Sequence, residues 1–236
     1  MPKIAIGLLA GLLIGLSACG EKSSVEATVL RFTDVEPQGK PTPVRMIITR
    51  DHIRIDDGGD DKSFVLFSRR DRVIYNVSAA DQMVLLISPA QAPSKPPVAL
   101  VHSRKEVNES LPAIAGHRVR HVQLLTNGKL CYDVYAAENL LPEAVAAMRE
   151  FIGVLAGDQA QSPSMMPREL LTPCYLANNI HAATRYLDHG FPIRRAEPGG
   201  RVSELNDFKL SVPVDRALFV LPADVRRMNI RELRGR

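Results

Sequence analysis

The sequence predicts an α+β fold, a largely antiparallel sheet interrupted by one helical excursion. Three observations carry this reading. Short β-rich runs fill residues 25–88, broken by turn signals roughly every eight to twelve residues. Asn127-Gly128 sits between two further runs, and that dipeptide supplies the positive φ angles of a type I′ hairpin turn. After residue 140 the apolar period lengthens: Leu141, Val145, Met148, Ile152 and Leu155 are spaced by 4, 3, 4 and 3, as on one face of a helix. The composition agrees with a single folded unit. The 236 residues are 45% hydrophobic and 24% charged, which excludes disordered, collagen-like, rod-forming and multi-span membrane classes. A chain of this length buries roughly 70% of its unfolded surface, so its core needs neither metal nor a dense disulfide framework.

From the N-terminus, residues 1–18 carry Lys3 and an apolar stretch over 4–16, the pattern of a secretory signal. The stretch is too short to span a bilayer, which takes roughly 17–25 apolar residues, and Glu21 and Lys22 follow at once. Leu16-Ser17-Ala18-Cys19 resembles the lipobox of bacterial lipoproteins. The resemblance implies cleavage before Cys19, acylation of that residue, and a lipidated tether over 19–24. Each buried methylene of an acyl chain contributes about 0.8 kcal/mol, so two or three chains anchor firmly where one is marginal. In such lipoproteins an aspartate after the cysteine favours the inner membrane; Gly20 stands there, which implies an outer-membrane, periplasm-facing location. The alternative is a soluble secreted protein cut after Ala18 with Cys19 free.

Strands are expected at 25–32, 44–55, 64–68, 72–77 and 83–87. Val44, Met46 and Ile48 share one face, but Ile47 lies on the other, so some strands are expected to be covered on both sides. Residues 88–97 hold four prolines, which exclude a central strand or a helix and leave an exposed loop. The hairpin joins 117–125 to 129–135. The helix has Pro142 in its first turn and Gly157 just beyond its end. Residues 159–167 read as a loop and 170–179 as short helical turns broken by Pro173, followed by strands at 191–196, 201–208, 209–214 and 218–221. Residues 224–236 form a basic tail, with Arg226, Arg227, Arg231, Arg234 and Arg236 beside Glu232. It is either frayed and soluble, or its arginines contact anionic lipid.

With Cys19 lipidated, Cys131 and Cys174 are left in a compartment that permits disulfides, and a bridge between them is expected. A metal or redox pair is the alternative, although neither residue lies in a Cys-x-x-Cys motif. Loss of residues 1–18 removes one of 30 basic residues and none of the 26 acidic ones, too small an imbalance to imply nucleic acid. His117 and His121 would share a strand face about 13 Å apart, too far for one metal ion, and read as surface histidines beside Arg118 and Arg120. Asp56, Asp57, Asp60 and Asp61 lack the ligand spacing of a calcium loop and read as a solvated hairpin tip. No nucleophile elbow, phosphate-binding glycine loop or His-Glu-x-x-His helix occurs, so no enzyme, cofactor or metal is expected.

Four segments carry a wider likeness: Arg54-Ile55-Asp56, Cys131-Tyr132-Asp133-Val134-Tyr135, Gly190-Phe191-Pro192-Ile193 and Leu218-Phe219-Val220-Leu221-Pro222. In this order they resemble the LolA/LolB-like superfamily and related bacterial periplasmic lipoproteins. The resemblance implies a curved, incomplete β-barrel over 25–223 with the helix and short turns packed on its concave face. It also implies a non-enzymatic envelope protein that binds a lipid, acyl chain or lipoprotein; in that case Val145, Met148 and Ile152 of the helical stripe would line a cavity beneath the helix, the alternative being that they are ordinary core residues. The aromatic content of 5% departs from the lipid-carrying members. A structural or interaction protein of outer-membrane assembly without a pocket, and a hydrolase with a site built from distant residues, are the alternatives. Radiolabelled palmitate fed to producing cells should label the chain, and Cys19→Ser should abolish the label.

Overall fold

The computed structural model describes residues 23–59, 62–91, 95–163 and 166–234. Cys19 and the expected signal and tether up to residue 22 lie outside them, as do Asp60 and Asp61. The fold is α+β. β1 (Ser24–Val35), β2 (Thr42–Ile48), β3 (His52–Asp56), β4 (Phe64–Ser68), β5 (Val73–Ser78) and β6 (Met83–Ile87) form an antiparallel meander. β7 (His102–Val107), β8 (Val119–Thr126), β9 (Lys129–Ala137), β10 (Phe191–Ala196) and β11 (Val202–Asp215) form a second antiparallel set. The two sets join where β1 pairs with β11. With β12 (Arg226–Asn229) parallel to β6, one open sheet results, ordered β12-β6-β5-β4-β3-β2-β1-β11-β10-β9-β8-β7.

α1 (Pro142–Gln159) buries Ala144, Ala147, Met148 and Val154, and the main core runs from these to Leu30, Phe32, Met46, Ile53, Phe67 and Phe191 of the sheet. Phe67 and Phe151 meet edge to face at 5.7 Å, and Arg69 grips Glu150 through two hydrogen bonds of 2.7 and 2.8 Å. Strands β4 to β6 are covered on their other face as well, as the broken alternation implied. Phe64, Leu66, Val77 and Val84 form a second cluster under Phe219, Leu221 and Val225. The Asn127-Gly128 turn has φ angles of 51° and 74°, as a type I′ turn requires.

Several elements differ from expectation. The run at 44–55 is two strands, because the Thr49 hydroxyl accepts hydrogen bonds from the amides of Asp51 and His52 and turns the chain. β11 is one long strand where two were expected; register shifts opposite Ala27/Val29 and Arg31/Phe32, with Ser211 at φ 50°, absorb the break in alternation. β7 has no apolar alternation because it is an exposed edge held by backbone pairing with β8. Residues expected as a strand at 218–221 begin with a 3-10 turn, Arg216–Phe219, capped by the Asp215 carboxylate accepting from the Ala217 amide at 2.9 Å. The basic tail starts as β12, buries Met228 against the sheet and continues as α3 (Ile230–Arg234). Gly157 lies inside α1 rather than past its end, since a Cβ there would overlap the Ala90 carbonyl where the proline-rich segment crosses the helix.

Asp56 is not part of a solvated tip. Its side chain is 2% exposed and receives Arg45 at 2.7 and 2.9 Å and Arg54 at 2.7 Å. Arg54 also donates to the Leu218 carbonyl at 2.7 Å and lies 3.7 Å from the centre of the Phe64 ring, which pins the 216–219 turn to the sheet. Burial opposes the Asp56 charge, but the hydrogen bonds and charges of Arg45 and Arg54 outweigh it and hold the carboxyl below its ordinary range. The bridge between Cys131 and Cys174 is present, with Cα atoms 5.1 Å apart and 43 residues between them in sequence; it ties β9 to α2 (Pro173–Leu176).

Replacing Asp56 by Asn should cost about 3 kcal/mol, read as a lower denaturant midpoint, because two guanidinium groups lose their charged partner. In the native protein this contribution should be complete above the unfolded aspartate pKa of about 3.9, and should vanish as pH falls through the lower folded value. Cys131→Ser should remove up to about 4 kcal/mol and leave Cys174 thiol-reactive.

Candidate ligand-binding cavity

Between α1 and the sheet lies an open-mouthed cavity of about 280 Å³. Its apolar body is built by Phe32 of β1, Val44 and Met46 of β2, Ile55 of β3, and Met148, Phe151, Ile152 and Leu155 of α1. Antiparallel register makes this wall: Phe32 faces Val44, and Met46 faces Ile55, so these side chains stand on one face of three adjacent strands. The helix supplies the opposite wall at i, i+3, i+4 and i+7 from Met148.

One end of the cavity is polar. Asp34 pairs with Ser203, and Ser203 pairs with Arg195, so the three occupy one row across β1, β11 and β10. The Ser203 hydroxyl donates to Asp34 Oδ1 at 2.7 Å. The Arg195 guanidinium lies 4.6 Å from the centre of the Tyr186 ring and 5.4 Å from that of Tyr132, and the two rings meet edge to face at 5.6 Å. Such a cation over aromatic faces gains about 0.5–2 kcal/mol, increasing as water is excluded. Burial works against the Arg195 charge, yet the groups around it, the carboxylates of Glu197 and Asp34 among them, outweigh burial and raise its pKa. Burial pushes the Tyr132 phenol up to about 12 and raises Tyr186 as well, so both rings remain neutral beside the cation. Among the described residues Arg195 has no carboxylate within ion-pair distance.

The structure brings Met148 and Ile152 together in the cavity wall. Val145 packs against the main core and is not part of that wall. Spacing alone did not point to Arg195, because a register shift between Pro192 and Arg194 decides which of the two consecutive arginines faces inward. Asp34 did leave a signal, as a charge two residues beyond Phe32 on the face that carries Leu30.

A second polar cluster lies on β8 and β9. The His121 side chain is 9% exposed, with Nδ1 2.6 Å from Glu109 Oε1 and Nε2 2.6 Å from Asp133 Oδ1, and its ring stacks on Tyr135 at 4.2 Å. The contact with Asp133 has hydrogen-bond geometry, whereas the contact with Glu109 is close but misaligned for one. His121 is therefore enclosed rather than a surface residue, and His117 is tied by Nδ1 to the Glu138 carbonyl at 2.9 Å. Among the described residues no group of three or more His, Cys, Asp and Glu is arranged to hold a metal ion. No helix among them is long and apolar enough to cross a membrane.

No family model and no curated protein matches the sequence. Among solved structures, the chain is similar to PNGF-II in its C2 and P21 space groups, with TM-scores of 0.42 and 0.41 and 10% identity. These matches cover 89% of this chain but only 32% and 33% of PNGF-II, about a third of its length. It is also similar to an uncharacterised conserved protein from Thermus thermophilus, with a TM-score of 0.42, 9% identity, and 86% and 90% of the two chains covered. These likenesses assign no activity to the chain.

Proposed function

We propose that this chain is a non-enzymatic, lipid-anchored envelope protein, facing the periplasm from the outer membrane, that holds an apolar ligand between its helix and its sheet. The observation that carries the reading is the 280 Å³ cavity, whose body is apolar and whose polar groups gather at one end. That is the form of a site for a chain-like molecule with a head, since apolar walls give affinity and a few placed polar groups give orientation. Met148, unbranched and polarizable, suits a wall that adapts to acyl chains. The sheet is taken as a half-barrel bent around α1. In support, α1 touches β5 and β6 on one side of the sheet's middle and β10 on the other. The lipobox-like ending at Cys19 supports the anchor, and the LolA/LolB-like pattern of segments supports the ligand class.

A docking role without a ligand is the second reading, favoured by β7. Five of its six residues are exposed, and its outer backbone edge ends the sheet. Edge strands of this kind accept an added strand from a partner of suitable charge.

Native mass spectrometry of the full chain, extracted from cell envelopes in a mild detergent, should show a co-purifying acyl compound at about one per chain. Met148→Trp, which fills the cavity, should strip that compound while leaving the melting temperature within a few degrees. A chain that emerges empty, and that takes up no apolar dye, would favour the docking role.

A further inference from the structure

The row Asp34, Ser203 and Arg195 says more about the ligand than that it is apolar. It presents one cation and one anion at the same end of one cavity, on strands two spacings apart, roughly 10 Å between backbones. Ser203 stands between them and is already committed to Asp34. Each charge keeps unfilled capacity: Arg195 has the rings of Tyr186 and Tyr132 and the Tyr186 hydroxyl beside it but, among the described residues, no carboxylate at ion-pair distance, and Asp34 has a second oxygen beyond the one that takes the Ser203 proton. A plain carboxylate head would pair with Arg195 but bring a like charge towards Asp34, and an alcohol head would put no counterion in contact with either. A head bearing both signs satisfies both.

Volume limits the remainder of the molecule. At about 280 Å³ the cavity lies just below the roughly 300–1,000 Å³ of sites for drug-sized ligands, which suits one acyl chain better than two. The protein's own acylated cysteine does not supply the head. Asp34 is at the far end of β1 from Ser24, roughly 33 Å away at about 3.3 Å per residue. Between Cys19 and Ser24 the chain reaches at most about 18 Å.

From these observations we infer that the cavity selects a single-chain zwitterionic amphiphile of the lysophosphatidylethanolamine class, its phosphodiester on Arg195 and its ammonium on Asp34. The inference rests on the apolar-ligand reading and specifies its head group. The acyl chain lies along Phe32, Met46, Met148 and Ile152, with the head at the row.

The test is competitive. The full chain, in a non-ionic detergent, is offered equimolar lauroyl lysophosphatidylethanolamine, lauroyl lysophosphatidylglycerol and laurate, and native mass spectrometry reads which remains bound. The ethanolamine lipid should be retained about tenfold over the other two, the factor expected for one charge-assisted hydrogen bond. Asp34→Asn should reduce that preference to within about twofold while some acyl ligand stays bound; Arg195→Gln, which removes the anion site common to all three, should lower retention of all three together, and Arg195→Lys should keep most of that retention. Equal retention of the glycerol lipid or laurate, a preference that survives Asp34→Asn, or anion retention unchanged in Arg195→Gln would overturn the head-group assignment alone. Retention of none of the three by the native chain would overturn the cavity reading itself, so the two failures are distinguishable. Unchanged melting curves for the variants would show that a lost preference is not a lost fold.

Discussion

The pairing of β1 with β11 is the constraint on which the rest depends. It runs from Ser24 opposite Asp215 to Val35 opposite Val202, and it is the seam between the meander of the first six strands and the set from β7 to β11. The meander can form from local hairpins, and the second set from hairpins and one pairing, β9 with β10, that spans the helical segment. The seam cannot, because its partners lie at opposite ends of the chain, and closing so long a loop costs entropy before any contact is made. Once closed, it makes one sheet of two and one core of the residues on either side. Leu30 and Phe32 from one set and Phe191 from the other become neighbours in that core only across this pair. The polar row of the cavity is equally a product of the seam, since Asp34 belongs to one set and Ser203 and Arg195 to the other.

Stability and the proposed function pull in different directions around Arg195. A cation facing an apolar cavity is expensive in folding terms, and an aliphatic residue of similar volume would pack there at no electrostatic cost. The protein instead surrounds the guanidinium with two tyrosine faces and, among the described residues, places no carboxylate within ion-pair distance of it. Elsewhere the same chemistry is closed off. Asp56 takes two arginines and Glu150 takes Arg69, each with its donors and acceptors matched. The contrast between matched pairs on the scaffold and an unmatched charge in the cavity is where local consistency gives way, as it does at binding sites.

Much of this architecture was legible in the residues. The Asn127-Gly128 hairpin, the helix after Leu141, the meander and the pairing of Cys131 with Cys174 each rest on local chemistry or on counting, and each is present. What escaped depends on partners distant in sequence. β7 carries His102-Ser103-Arg104-Lys105-Glu106, with no hydrophobic period, and becomes a strand only because β8 offers it a ladder. Asp56 reads as part of a wet acidic tip although its partners are near in sequence: Arg54 lies two residues before it on β3 and Arg45 stands opposite it on β2, a match that only the strand register reveals. For the cavity, Met148 and Ile152 could be named from helical spacing, and Val145 could not be separated from them, since all three lie on one stripe. Which of Arg194 and Arg195 points inward was hidden by the irregularity after Pro192, which reverses the alternation that a reader would assume.

The C-terminal strand has a final consequence. By lying parallel along β6, the short β12 covers the backbone of Met83-Val84-Leu85-Leu86, a run in which every side chain is apolar. At the opposite margin β7 protects itself with charge, through Arg104, Lys105 and Glu106, which discourage indiscriminate addition of another sheet there. β6 has no such defence of its own. A protease cut or an early stop just before Arg226 would therefore do more than shorten the molecule. It would expose a greasy, hydrogen-bonding margin of the kind from which fibrils grow, so the last few residues act as a guard against self-association.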